Sequence, residues 1–385
     1  MQAVILAAGE GKRVRPLTRN RPKAMIPVAN RPIIEYAIEA LLKNGIREIV
    51  VVVGYRKEQV TRYLNQLDAP IDVVVQDKQL GTGHALLSAQ SRLSGNFLVL
   101  PGDNYIDPSS IARIRDIPNA MLVKNHPSPS NFGVVTLHNG YVTSLVEKPE
   151  SAPSFTVSTG IYSLTTEVFS HIRENTLTDA LSSMIQTGTK IRGIPADDWQ
   201  DAIFAWDLLR MNHCLLHSSL SPSREGVSSR QAIIQGPVRI GKGSTIGANT
   251  VITGPVVIGN DCTIGPNCCI MPDTSIGSRV TLEPFTVIGD AIIMDDTSVG
   301  SHSRLINTVI GERCILANHT STWKASGILE IEGCATRSEF GAIIGDTVTG
   351  GPFSVYKNSM IGNNVIIEGR ATLSSRHIPD NSTVI

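Results

Sequence analysis

From Ile234 onward an aliphatic residue recurs every six positions: Ile234, Ile240, Ile246, Ile252, Ile258, Ile264, Ile270, Ile276, Leu282 and Ile288. Gly241, Gly247, Gly259, Gly265, Gly277 and Gly289 each follow one of them directly. A period of six matches neither the roughly 3.6 of an α-helix nor the alternation of a long strand. It fits a short strand plus a tight turn, with one aliphatic side chain pointing inward per flat face. Glycine takes the next position, where backbone crowding or a positive φ would penalise a Cβ. Three such hexads close one triangular coil, and stacked coils bury an aliphatic column that no single repeat could bury alone. The expected architecture is a left-handed parallel β-helix. Its register slips near Met294 to Val299, which predicts a loop or bulge there. Hexads become legible again at Ile310-Gly311 and Ile344-Gly345, and then as Ile361, Ile367 and Leu373.

Upstream, short apolar runs alternate with amphipathic segments of helical length. Strands are expected at Ala3 to Ala7, Ile49 to Val53, Asp72 to Gln76 and Phe97 to Leu100. Helices are expected over Pro32 to Lys43 and Lys57 to Leu67, each with its apolar residues along one face. Such alternation indicates an α/β, Rossmann-like domain with a mostly parallel sheet covered on both sides. A chain of 385 residues suits two domains. The expected boundaries are an α/β domain over 1–220, a serine-rich linker over 221–230 and the β-helix over 231–385. Ligands of such sheets sit at the carboxyl ends of the strands, which directs attention to the loops after Ala7, Gln76 and Leu100.

The 34 basic side chains are balanced by 34 acidic ones. A neutral chain without a basic stripe has no long-range attraction for nucleic acid, so no nucleic-acid partner is expected. The apolar runs are too short to span a bilayer, and the opening residues lack a positive leader, so no membrane is expected either. Six cysteines without a CxxC pair suggest a reducing, cytoplasmic setting.

The first strand opens into Gly9-Glu10-Gly11-Lys12-Arg13, followed by Pro16-Leu17-Thr18 and Pro22-Lys23-Ala24. Glycines there let backbone amides approach phosphate oxygens, while Arg13 and Lys23 add positive charge. Neither GxxxxGK[ST] nor a full GxGxxG is present, which argues against a P-loop hydrolase and a dinucleotide dehydrogenase. Asp103 directly follows a strand, a position that aims its carboxylate at the mouth of the sheet. Asp201 lies between Trp199 and Phe204, which are expected to fix its loop. Hard carboxylate oxygens suit Mg²⁺ held jointly with substrate phosphates.

The run Leu6 to Thr18, then Arg21 to Val28 and Arg31-Pro32, resembles the signature of sugar-phosphate nucleotidyltransferases. Gln76 with Gly81-Thr82-Gly83, Gly102-Asp103, Glu147-Lys148-Pro149 and Asp201 fit that family in order. With its hexapeptide repeats the chain looks most like the archaeal bifunctional UDP-N-acetylglucosamine pyrophosphorylase / glucosamine-1-phosphate N-acetyltransferase proteins. The resemblance implies Mg²⁺-dependent transfer of a nucleotidyl group from an NTP, UTP above all, to N-acetylglucosamine 1-phosphate or glucose 1-phosphate. It implies that Leu6, Ala8, Gly9, Gly11 and Arg13 hold the nucleotide and that Lys23 approaches the reacting phosphates. Gln76, Gly81 and Thr82 would surround the base. Gly133, Glu147, Lys148, Ser158 and Thr159 would hold the sugar phosphate, and Asp103 and Asp201 would share the metal. Ser158 stands where bacterial members often carry Asn, which bears on sugar choice. Thymidylyl or guanylyl transfer, and a non-catalytic nucleotide-binding subunit, are the alternatives.

For the repeats, the resemblance implies a trimer and an acetyl-CoA-dependent second activity in which a histidine acts as base. His302 aligns with that histidine, but Leu305 replaces the family's tyrosine, and Cys314 to Thr320 departs from the usual Asn-Leu-Gly-Ala-Gly-Thr. Lys324 and Lys357 are candidates to face an anionic cofactor. A purely structural or regulatory C-terminal domain is the competing expectation.

Overall fold

The computed structural model describes residues 1–173 and 176–385. The chain divides into two compact units. One holds Met1–Glu10, Arg21–Met25 and Pro32–Asp201; the other holds Gly11–Asn20, Ile26–Arg31 and Ala202–Ile385. Among the described residues no helix is long and apolar enough to cross a membrane.

The expected strands appear as β1 (Gln2–Ala7), β4 (Glu48–Val53), β5 (Ile71–Val75) and β6 (Asn96–Pro101), with β2 (Pro27–Val28) and β3 (Arg31–Pro32) between the first two. Val, Ile and Leu dominate β1, β4 and β6 because both of their faces are covered, so period-two alternation is lost. β1 pairs in parallel with β4 and β6, and β4 with β5. The helices α1 (Ile33–Lys43) and α2 (Lys57–Leu64) follow, and α1 buries Ile33, Tyr36, Ala37, Ala40 and Leu41 as its spacing predicts. Further along come α3 (Thr82–Ser88), β7 (Asn104–Ile106), α4 (Pro108–Ile114), β8 (Ala120–Asn125), β9 (Gly133–His138), β10 (Tyr141–Glu147) and β11 (Thr156–Thr165). They are followed by α5 (Val168–His171), α6 (Leu177–Gln186), β12 (Arg192–Pro195) and β13 (Trp199–Asp201). The main sheet runs β5-β4-β1-β6-β11-β8-β12-β10-β9. Beyond β6 it continues through antiparallel β11. Val4, Val52, Leu86, Phe97, Val99, Tyr162 and Leu181 belong to one core cluster on it.

In the second unit the aliphatic column is continuous: Ile240, Ile246, Ile252, Ile258, Ile264, Ile270, Ile276, Leu282 and Ile288 are all buried in one cluster. Ile240 pairs with Ile258, and Ile258 with Ile276, at a spacing of eighteen residues, or three hexads. No loop interrupts the helix at Met294 to Val299. The coil shortens by one residue instead, so that Ile276 pairs with Ile293, Leu282 with Val299 and Ile288 with Leu305. Strand Val287–Ile293 runs without a break through that corner, which is why the six-residue reading loses step.

The glycines answer crowding and not φ. A Cβ on Gly241 would lie 2.4 Å from the Gly259 carbonyl oxygen of the next coil. Left-handed backbone falls on a different corner position, occupied by Asn249, Asn267, Phe285, His302, His319 and Phe353, with φ from 57° to 63°. A hairpin of Ala325–Ile331 and Cys334–Phe340 leaves the helix, and pairing resumes with Ile310 against Ile344, twice seventeen residues on.

The segment read as a linker is structured. Ser223–Arg224 and Val227–Ser228 pair in parallel with the coil above, so the helix begins inside 221–230. Its serine and glycine content hides this, because outward and corner positions of a coil accept small polar residues. The preceding helix α7 (Asp207–Ser219) also belongs to this unit. Asn212 on α7 is fully buried, and its side-chain oxygen accepts from the Ala29 amide at 3.0 Å and the Ser275 hydroxyl at 2.6 Å.

Candidate active site

β7 leaves the sheet immediately after the Gly102-Asp103 turn and pairs antiparallel with β13, with Asn104 opposite Asp201 and Ile106 opposite Trp199. This ribbon brings Asp103 and Asp201 to one place from distant parts of the sequence. Trp199 is buried, with its ring 5.3 Å from Phe132 and 6.5 Å from His126. It anchors the ribbon as the sequence suggests, whereas Phe204 stacks on Trp206 at 4.8 Å.

Lys23 closes this cluster. Its side chain is almost wholly buried, and its Nζ donates to Asp201 Oδ1 at 2.8 Å and lies 3.0 Å from Asp103 Oδ2. Burial works to lower the lysine pKa, but the two carboxylates outweigh it and hold the ammonium well above its ordinary value. Both acids therefore border one cation and remain partly open to solvent.

At the end of β5, Gln76 is buried. Its Nε2 donates to the Gly81 carbonyl at 3.1 Å and lies 2.9 Å from His84 Nδ1. Gly81 has φ 132°, a conformation that disfavours any side chain, and starts α3. Thr82 Oγ1 accepts the Leu177 amide at 3.0 Å, fixing α3 against α6. His84 has no apolar period or motif to mark it in the sequence, and its place beside Gln76 appears only in the fold. Leu6 and Ala8 lie at the end of β1, where Ala8 O accepts the Tyr55 amide at 2.9 Å. Gly9 follows with open space where a Cβ would be.

A second group forms where β9, β10 and β11 meet. Gly133 sits opposite Glu147 in the ladder, and a Cβ on it would lie 3.5 Å from Glu147 Oε2 and 3.8 Å from Ser158 Cβ. Lys148, at φ 42°, places Nζ 3.1 Å from Glu147 Oε1, while Thr178 donates to Glu147 Oε2 at 2.9 Å. Ser158 and Thr159 lie in a bulge of β11 that is released by Gly160 at φ 79°. Ser158 Oγ is 2.9 Å from the Tyr162 hydroxyl, and Thr159 Oγ1 donates to Leu122 O at 3.0 Å. Burial, aided by the charge of Glu147 and opposed by the Ser158 hydrogen bond, pushes the Tyr162 phenol up to about 12. Tyr162 and Thr178 were not singled out by sequence, since a strand tyrosine and a helix threonine are ordinary residues there.

Gly11 and Arg13 belong to the second unit. Gly11, at φ 79°, precedes a helical turn over Lys12–Val14, and Thr18 Oγ1 donates to its carbonyl at 3.0 Å. This loop is tied to the β-helix corners: Asn20 donates to Asp346 Oδ2 at 2.9 Å, and Asn363 donates to Pro16 O at 3.1 Å. Arg19 lies 3.2 Å from Asp380 Oδ2, and Arg15 lies 3.7 Å from Glu332 Oε1. Asp346, Asn363 and Asp380 form their own ladder, with Asn363 Oδ1 accepting the Asp346 amide at 2.7 Å and Asp380 Oδ1 accepting the Asn363 amide at 2.7 Å.

His302 occupies an exposed corner and stacks between Phe285 and His319, with ring centroids 4.9 and 5.1 Å away; Phe353 extends the stack. Leu305 is buried in the aliphatic column. Lys324 lies 3.5 Å from Glu339 Oε2, and Lys357 pairs within a strand beside Ser374.

Residues 2–212 match the family described as Nucleotidyl transferase, residues 252–384 the GMPPB C-terminal domain, and residues 229–254 a hexapeptide repeat of succinyl-transferase. The chain is 38% identical to the bifunctional protein GlmU of Methanococcus maripaludis, over all of its own length and 97% of that protein. It is 35% identical to UTP–glucose-1-phosphate uridylyltransferase AglF of Haloferax volcanii, over 52% of this chain and 90% of that one. Among solved structures, a UDP-glucose pyrophosphorylase from Acinetobacter baumanii matches with TM-score 0.50 and 25% identity, covering 57% of this chain and 95% of the other. A paired acidic ribbon, a glycine-rich turn after the first strand and a hexapeptide column thus occur together in a chain that belongs to the nucleotidyl transferase family, as a member carrying C-terminal hexapeptide repeats.

Proposed function

We propose that this protein joins a sugar 1-phosphate to a nucleoside triphosphate, with UTP favoured, and releases pyrophosphate. The observation that carries the reading is the convergence of Asp103 and Asp201 on the Lys23 ammonium. Two hard carboxylates already sharing one cation fit a divalent ion that also binds phosphate, and Mg²⁺ would supply neutralisation of the triphosphate's charge there. Gly11 and Arg13 grip the phosphate tail, and Lys23 is released toward the reacting phosphates. Gln76, Gly81 and Thr82 read the base. Glu147 and Gly133 orient the sugar, Lys148 meets its phosphate, and Ser158 and Thr159 border it. A sugar-phosphate oxygen attacks the α-phosphorus; the bond to the β-phosphate oxygen breaks, and its electron pair leaves with pyrophosphate. The residues align the groups and neutralise developing charge, and none becomes covalently attached.

The test is a matrix of NTPs against glucose, N-acetylglucosamine and mannose 1-phosphates with Mg²⁺, read by pyrophosphate release. UTP with N-acetylglucosamine or glucose 1-phosphate should give the highest rate. Silence across the matrix rejects the reading, and nucleotide binding without release would favour a regulatory subunit.

A relative from Sulfurisphaera tokodaii, 31% identical over 65% of this chain, is named a bifunctional sugar-1-phosphate nucleotidylyltransferase/acetyltransferase. We assign His302 as the base for acetyl transfer from acetyl-CoA to glucosamine 1-phosphate, supported by its exposed corner position. Loss of CoA release in His302→Ala would support this, and no CoA release from the native chain would leave the β-helix a structural domain. The repeats favour a homotrimer, measurable by light scattering, and six cysteines without a CxxC pair suit the cytoplasm.

A further inference from the structure

Outside the nucleotidyl site, the side chains of His213, His217 and Asp273 converge in the second unit. Among the described residues they are the one group of three or more potential ligands whose donor atoms lie together, all within 4.8 Å of one another. The two histidines are four residues apart on α7, a spacing that puts both imidazoles on one helix face. Their rings are 4.3 Å apart. They address opposite oxygens of one carboxylate: His213 Nδ1 lies 3.0 Å from Asp273 Oδ2, and His217 Nε2 lies 2.9 Å from Asp273 Oδ1.

The third ligand is held in place independently. Asp273 sits at a left-handed corner with φ 63°, and Asn212 Nδ2 donates to its carbonyl at 2.9 Å. Because Asn212 is buried and also bonded to Ser275, the backbone of α7 is fixed against the Asp273 corner between two coils. The imidazoles need only side-chain rotation to contract around an ion. Zinc takes nitrogen and carboxylate oxygen at about 2.0–2.2 Å in tetrahedral array, which places donors about 3.4 Å apart. The half-exposed faces of both histidines leave the outer side open for water as a fourth ligand.

We propose that His213, His217 and Asp273 form a binding site for a borderline transition-metal dication of the zinc class, distinct from the Mg²⁺ site. Two imidazole nitrogens select such ions over Mg²⁺, which prefers an all-oxygen shell. Bound there, the ion staples α7 to the β-helix, and its free energy of binding adds to the stability of that unit.

The experiment uses the full-length, untagged chain, stripped with chelator and titrated with Zn²⁺ by calorimetry, with Co²⁺ as the spectroscopic probe. One Zn²⁺ per chain should bind at micromolar ion or tighter in the presence of excess Mg²⁺, and raise Tm by several degrees. Co²⁺ should show the intense visible bands of a low-coordinate, nitrogen-ligated site. His213→Ala and His217→Gln should each weaken binding by about tenfold or more, while Asp103→Asn leaves it intact. No binding at micromolar Zn²⁺, native affinity retained in either histidine variant, or loss of binding in Asp103→Asn would each overturn the proposal.

Discussion

Lys23 shows how a residue's role depends on partners the local sequence does not display. Its loop and neighbouring prolines mark it as a phosphate candidate, and Asp103 is legible because it follows a strand end. The contact between Lys23 and Asp201 spans 178 positions and becomes visible only in the fold. Asp103→Asn keeps the shape and removes one charge; turnover should fall about 10²–10³-fold, measured by pyrophosphate release at saturating substrates. Tyr162 gives a test by pH. Its folded pKa is raised to about 12, so its contribution to stability is complete below the unfolded phenol value and is lost as pH rises through the folded one. Between about pH 10 and 12 the native chain should lose up to about 1.4 kcal/mol per pH unit more than Tyr162→Phe, as read from paired urea titrations.

At the scale of elements, periodicity was the reliable guide where one face repeats. α1 buries the residues its spacing marks, and the aliphatic column follows the six-residue rule through Ile288. The rule fails at the corner where one residue is dropped, because a sequence cannot distinguish a shortened turn from an inserted one. The first coil was hidden for a related reason: Ser223–Arg224 and Val227–Ser228 carry little apolar signal and are strands only because neighbours above pair with them. Crowding at the glycine corner is directly testable. A Cβ at Gly259 would lie 2.6 Å from the Gly277 carbonyl carbon and oxygen. Gly259→Ala should therefore cost about 1–3 kcal/mol, seen as a lowered Tm of the full chain. The ribbon of β7 and β13 leaves no signal in the sequence, since two three-residue strands are too short for any pattern.

At the scale of the whole molecule, sequence order and spatial grouping part company. The loop over 11–20 is written into the nucleotidyltransferase signature, yet it groups with the β-helix unit. The bond from Asn363 to Pro16 O spans 347 positions. Asn363→Ala should leave the loop less ordered and raise KM for the NTP several-fold, with little change in KM for the sugar 1-phosphate. Initial-rate kinetics with each substrate varied in turn will separate the two. Over the chain 34 positive charges match 34 negative ones, whereas at the ribbon a single ammonium sits against two acids. On the proposed function Lys23 is a resident stand-in for Mg²⁺, and its contacts with Asp103 and Asp201 keep the acidic pair from repelling without a borrowed ion. Withholding Mg²⁺ should stop catalysis while leaving the melting temperature within about a degree, so the protein can wait, fully folded, for a nucleotide that brings its own counter-ion.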